Sequence, residues 1–214
     1  MQYSDVIIFI MEIIGTIAFA ISGALTGIQR KMDLFGINVL GITTAVGGGM
    51  VRDLILGVNP PAMFRNSTYA MTAIVTSTIV FLWVYFNKKT SPGKHAKMYD
   101  MLLLIGDTIG LGIFSVMGSY AAVKAGYSDN RFLTIFVGVM TGVGGGMIRD
   151  IMAGNTPYIL VKHIYAVASL AGAAIFTLLL PYFPRLECMI AGAVVVMVIR
   201  FLAAHYRWNL PRIH

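Results

Sequence analysis

The chain has 214 residues, 57% of them hydrophobic and 12% charged, with a formal net charge of +7. A soluble domain carries about 45–50% apolar and about 25% charged residues, so this chain has too little polar side chain to cover a globule in water. That argues against a cytosolic enzyme, a nucleic-acid-binding domain and a disordered tail, and for an integral membrane protein. The 16 Lys and Arg are dispersed among apolar runs and form no basic helix face, so their charge reads as loop charge that fixes orientation in a bilayer. The single cysteine, Cys188, has no intrachain partner, and no Cys/His cluster has metal-ligand spacing. Neither a metal, nor a cofactor, nor a nucleic-acid partner is expected. The start, Met1 to Asp5, carries no positive charge ahead of the first apolar run, which is therefore expected to stay as a span.

Seven apolar segments follow in chain order. The first runs from about Val6 to Ile28 and contains Glu12. The second runs from Leu34 to about Leu56 and holds Gly47-Gly48-Gly49 and Arg52-Asp53. The third covers Thr68 to Phe86, and a polar, basic linker occupies 87–97. The fourth, about Met98 to Val123, holds Asp107. The fifth, Phe132 to Ala153, carries Gly144-Gly145-Gly146 and Arg149-Asp150. The sixth covers Ile164 to Leu180, and the seventh about Leu186 to Ala204 with Arg200 near its end. Barrel strands would alternate apolar and polar residues over about ten positions, whereas Ile190–Ile199 is almost continuously apolar. The segments are therefore helices.

With seven spans, Arg65, Lys124, Arg131 and Arg185 fall on the side of the N-terminus. Arg30, Lys31, Lys88, Lys89, Lys94, Lys97, Lys162, Arg207 and Arg212 fall on the other. The positive-inside rule then predicts an outward N-terminus and a cytoplasmic C-terminus.

The two halves repeat one another. Gly47-Gly-Gly-Met-Val-Arg-Asp53 recurs as Gly144-Gly-Gly-Met-Ile-Arg-Asp150 at an offset of 97, which also aligns Thr44 with Thr141 and Gly57 with Gly154. Earlier in each half the offset is 95, aligning Glu12 with Asp107, Gly15 with Gly110, Phe19 with Phe114 and Gly23 with Gly118. Three spans per repeat is an odd number, so the second copy enters the membrane from the opposite side, as in transporters whose pathway lies at an inverted-repeat interface. The expected fold is all-α: seven transmembrane helices arranged as two inverted three-helix repeats plus one extra helix. The 214 residues then form a single membrane domain, with repeat one at about 5–86, repeat two at about 98–180 and the seventh helix at about 186–204.

The doubled Gly-Gly-Gly-x-x-Arg-Asp motif on this layout resembles the prokaryotic branch of the trimeric intracellular cation channel family. Bacterial members of the same group are also described as glycine transporters. The resemblance implies a homotrimer in the bacterial inner membrane, with a potassium-permeable pore in each protomer lined by the kinked second and fifth helices. Monovalent cations and membrane lipids are the partners it implies. The runner-up is a secondary transporter for glycine or another small solute.

Residue chemistry leaves several choices open. Three consecutive glycines cost a helix about 1 kcal/mol each relative to alanine. They either break the helix, exposing carbonyls that can coordinate a cation, or simply let helices pack closely. Gly23-x-x-x-Gly27 and Gly106-x-x-x-Gly110 read mainly as packing. Arg52, Asp53, Arg149 and Asp150 are expected to pair across the repeats, Arg52 with Asp150 and Arg149 with Asp53, and either line or gate a pathway or act as structural ion pairs. An unpaired charge at a span centre costs about 2.5–3.5 kcal/mol, so these four with Glu12 and Asp107 cannot all face lipid. Glu12 and Asp107 either attract cations in the pathway or hydrogen-bond within their own repeat. Thr43, Thr44, Thr141, Ser22 and Ser115 offer hydroxyls nearby, although such residues commonly bond their own backbone. No Gly-x-x-x-x-Gly-Lys phosphate loop is present.

Overall fold

A computed structural model describes residues 3–87, 92–161, 164–206 and 208. Among them the order is α1 (Tyr3–Gln29), α2 (Leu34–Ile55), α3 (Ala62–Arg65), α4 (Thr68–Asn87), α5 (Pro92–Lys124), α6 (Arg131–Met152), α7 (Tyr158–Val161), α8 (Ile164–Leu179) and α9 (Arg185–His205). Met1, Gln2, Lys88, Lys89, Lys162, His163, Arg207, Arg212 and the side chain of Lys94 lie outside the described residues.

Six helices, α1, α2, α4, α5, α6 and α9, are long and apolar enough to cross a membrane, and the protein is an all-helical integral membrane protein. The sixth expected span is the shortest. Its described part, α8, has 16 residues, about 24 Å by its rise per residue, against the roughly 30 Å of a bilayer's hydrocarbon core. The linker also differs from expectation, because α5 begins at Pro92. Proline suits a first helical turn, where its missing N–H would have had no partner.

Local sequence explains how the two long motif helices start and stop. Asp33 caps α2 by accepting from the Gly36 amide at 2.7 Å, and Asn130 caps α6 by accepting from the Leu133 amide at 3.0 Å. Both end in the same left-handed turn, at Gly57 (φ +70) and Gly154 (φ +65). Val58 N–H bonds the Asp53 carbonyl and Asn155 N–H the Asp150 carbonyl, each at 2.8 Å, the 6→1 bond of a Schellman cap. The four-residue helices α3 and α7 that follow were not foreseen.

Equivalent helices of the two halves pack on one another, α1 against α5 and α2 against α6. The contacts are reciprocal. Phe19 packs tilted against Phe114, ring centroids 5.3 Å apart, and each ring lies over the glycine one turn before its counterpart, Phe19 over Gly110 and Phe114 over Gly15. α9 has no such counterpart and packs on α5 and α8, adding Met189, Ala193 and Val196 to the core of the second half.

The expected helix breaks at Gly47-Gly48-Gly49 and Gly144-Gly145-Gly146 are absent: α2 and α6 run unbroken through both triplets. The reason is the crossing of the two helices. A Cβ on Gly48 would sit 2.1 Å from the Thr141 carbonyl oxygen, and one on Gly145 2.1 Å from the Thr44 carbonyl oxygen. The glycines bring backbone against backbone, the close approach that small residues permit between membrane helices, and each helix keeps its own ladder of hydrogen bonds.

Candidate functional site

Each Arg-Asp pair lies in the last turns of its helix, just ahead of the Schellman cap. There Arg52 Nε donates to Asp53 at 2.8 Å, and Arg149 Nε to Asp150 at 2.9 Å. The second carboxylate oxygen of each aspartate turns outward to the next short helix. Asp53 accepts from the Ala62 amide at 2.7 Å, and Asp150 from the Tyr158 amide at 2.9 Å. Each aspartate therefore joins an arginine to the N-terminus of α3 or α7, where a negative charge also meets the helix dipole.

The expected cross-repeat pairs, Arg52 with Asp150 and Arg149 with Asp53, do not form. The two motifs lie at opposite ends of the bundle. Arg52 lines a cavity with Asp5, at the start of α1, whereas Arg30, just past the end of α1, donates to the Gly154 carbonyl beyond α6. Neighbours one residue apart on a helix do not face each other, yet the long arginine side chain reaches back to its own aspartate.

Glu12 and Asp107 lie beside these pairs, and each accepts from a tyrosine. Tyr69 of α4 donates to the Glu12 carboxylate, and Tyr165 of α8 donates to Asp107 at 3.3 Å. The tyrosines were missed in the sequence, although Tyr69-Ala70 and Tyr165-Ala166 repeat at an offset of 96.

Here the halves part. In the second, the Arg149 guanidinium donates to Asp107 at 2.7 Å and to Ser22 Oγ, lies 5.2 Å from the Tyr158 ring centroid and is 0% exposed. Arg200 of α9 closes the cluster, with Nη2 3.6 Å from Asp107 and its guanidinium 4.8 Å from the Tyr165 ring centroid. Two arginines and two aspartates balance, and the cluster is sealed. In the first half, Arg52 keeps 14% of its side chain exposed, and Glu12 and Arg52 line two adjoining cavities. One, of about 80 Å³, extends between α1, α2, α3 and α4 past Asp53 and Tyr69. The other, of about 330 Å³, opens between the start of α1 and the end of α5 at Asp5 and Lys124. Arg52 faces two carboxylates there, Glu12 and Asp53, leaving a net charge of −1, while Asp5 and Lys124 balance at the mouth.

The hydroxyls are mostly committed elsewhere. Thr43, Thr44, Ser115 and Thr141 donate to the carbonyls of Val39, Leu40, Leu111 and Val137, four residues back, at 2.6–2.9 Å. Ser115 also meets Ser169 at 2.7 Å. Ser22 alone joins the charged cluster.

A family model described as "Glycine transporter" matches twice, over residues 9–85 and 104–181. A membrane protein of Deinococcus radiodurans is 36% identical over 94% of this chain and 89% of its own. The inner membrane protein YadS of Escherichia coli K12 is 35% identical over 96% of this chain and 95% of its own. Among solved structures, a TRIC cation channel studied for the structural basis of conductance superposes with a TM-score of 0.81 at 35% identity, covering 96% of both chains. A trimeric intracellular cation channel orthologue from Rhodobacter sphaeroides superposes at 0.84 with 29% identity, covering 94% of this chain and 99% of that one. With both halves matched by one family model and the whole length shared with these relatives, the chain belongs to the bacterial branch of the trimeric intracellular cation channel family, the branch also called glycine transporters.

Proposed function

We propose that the protein is a passive channel for monovalent cations, potassium among them, with one pore in each protomer of a homotrimer. The observation that carries this reading is the open crevice at Glu12, Arg52 and Asp53, net negative by formal charge and lined by two cavities, in a fold shared with solved TRIC cation channels. Channels commonly select cations with carboxylates at a constriction. The glycine carbonyls lie within intact helices, so the carboxylates carry the preference for cations, and the crossing of α2 and α6 acts as the gate. At that crossing the backbones touch at Gly48 and Gly145, with no room for an ion between them, and conduction requires the helices to part there.

The layout belonging to this reading is two inverted three-helix repeats plus α9, with the N-terminus outside and the C-terminus in the cytoplasm of a bacterium. The motif ends at opposite poles of the bundle and the reciprocal contacts of α1 with α5 support it. So does the naming of a relative as an inner membrane protein. Purified protein in planar bilayers is expected to give discrete unitary currents that reverse at a cation-selective potential in a potassium chloride gradient. Slow, saturable flux without unitary events overturns the channel.

One observation favours a carrier as the second reading. Glu12 and Arg52 line the same cavities, and a carboxylate beside a guanidinium suits the ammonium and carboxylate of a small amino acid. Radiolabelled glycine counterflow in liposomes tests it, and absence of exchange under sodium, potassium and proton gradients removes it.

A further inference from the structure

Among the buried charged residues described, Asp53, Asp107, Arg149, Asp150 and Arg200, Arg200 is the one for which the repeat offers no counterpart, because α9 lies outside the duplication. It is 3% exposed, deep in an apolar bundle, where a charge is retained only with a partner. Its partnership is incomplete. Nη2 stands 3.6 Å from Asp107, and neither Nε nor Nη2 makes a hydrogen bond; Asp107 Oδ2 makes none either. The group is held by charge and by the Tyr165 ring at 4.8 Å, not by the two-pronged hydrogen bonds that an arginine and a carboxylate form when built for each other.

The first half shows the same framework without this residue. Glu12, Tyr69, Arg52 and Asp53 stand where Asp107, Tyr165, Arg149 and Asp150 stand in the second. The first set is net negative and borders two cavities. The second set, counted without Arg200, would carry the same net charge of −1. Arg200 brings it to zero and fills the space at Asp107.

We propose that Asp107 is the centre of a second monovalent-cation site, which Arg200 occupies as a tethered cation and thereby holds shut. The proposal rests on the channel reading for the identity of the ion. The guanidinium is a weakly hydrated cation, and its loose contact with Asp107 is what an exchangeable plug requires. When α9 withdraws it, Asp107 and Asp150 face Arg149 alone, and a potassium ion restores neutrality.

The test uses full-length protein in detergent with Cys188→Ala to remove the native thiol. Ser22→Cys reports on the cluster, because Ser22 Oγ sits against Arg149. With Arg200 present, this thiol is expected to react slowly with the small cationic reagent 2-aminoethyl methanethiosulfonate. Arg200→Gln should speed the reaction at least tenfold, and 100 mM potassium should slow it again where N-methyl-D-glucamine, too large to enter, does not. Arg200→Met, which keeps the apolar stem, stands in if the glutamine variant does not fold. Arg200→Lys keeps a tethered cation and should stay unreactive. Unchanged reactivity in the glutamine or methionine variant, acceleration without potassium protection, or a lysine variant as open as the glutamine one each overturn the proposal. Wild-type protein that shows no unitary current in bilayers overturns the channel reading alone, since the labelling is read without any current.

Discussion

Glu12 and Asp107 hold the same position of the repeat with different surroundings, and a neutral amide at each separates a charge open to a cavity from one sealed among ion pairs. Asp107 faces Arg149 at 2.7 Å and Arg200 at 3.6 Å with none of its side chain exposed. Asp107→Asn leaves two buried arginines with Asp150 alone. Breaking a buried ion pair by removing one partner costs about 3–5 kcal/mol, so this variant is expected to lose most of its folded yield and unfold well below wild type in detergent. Glu12 has Tyr69 as its hydrogen-bond partner and an open cavity beside it. An amide still accepts from the tyrosine, so Glu12→Gln should shift stability by less than about 1 kcal/mol. Thermal unfolding followed by loss of monodisperse protein checks both. Equal destabilisation by the two variants would mean that the first half is sealed as tightly as the second. The aspartates of the motif divide in the same way. Asp150, paired with a fully buried arginine, is expected to be the more damaging of the two when changed to Asn, and Asp53, whose arginine keeps 14% of its side chain exposed, the milder.

Helices α2 and α6 show what a glycine triplet does when its positions are taken one at a time. A Cβ on Gly49 meets nothing nearer than the end of Arg52, at 3.7 Å, while one on Gly48 or Gly145 runs into a carbonyl oxygen at 2.1 Å. Gly49→Ala is therefore expected to be neutral or to stabilise by up to about 1 kcal/mol through helix propensity. Gly48→Ala and Gly145→Ala push two backbones apart, and overpacking of this kind costs about 1–3 kcal/mol or more. Melting of the purified variants should rank Gly49→Ala at or above wild type and the other two clearly below it. The same three positions mark where the sequence stopped being legible. Apolar runs placed the long helices to within a few residues, because span length is written locally. The exception is α5, whose start at Pro92 lies inside the basic linker. The glycines declared that α2 and α6 do something special at mid-span, and chain-local reasoning allowed either a break or a contact. Only the facing carbonyls of Thr44 and Thr141, from the other half of the chain, decide for contact. Pairing of Arg52 and Arg149 was illegible for the same reason, since it depends on which pole of the bundle each motif occupies.

Across the whole molecule, duplication supplies two equivalent sets of charged residues and the unduplicated α9 makes them unequal. One pole holds an open crevice with a net charge of −1 around Glu12, Arg52 and Asp53, and the other a sealed, neutral cluster completed by Arg200. If cations gather at the open pole before crossing, its charge sets their local concentration, and the effect must fade as salt screens it. The screening length is about 10 Å at 0.1 M salt and about 3 Å at 1 M. Glu12→Gln takes the crevice from −1 to zero, and Arg52→Gln takes it to −2. In symmetric 0.1 M potassium chloride the unitary conductance is expected to fall in the order Arg52→Gln, wild type, Glu12→Gln, with about two- to fivefold between the extremes. In 1 M salt the three should converge to within about 30%, because a concentrated bath supplies the ions that the carboxylate otherwise attracts. The potassium-over-chloride reversal potential should shrink toward zero in Glu12→Gln at low salt. Conductances that keep the same ratio at both salt concentrations would place Glu12 in the narrow part of the pathway, in direct contact with the ion, and not at its mouth.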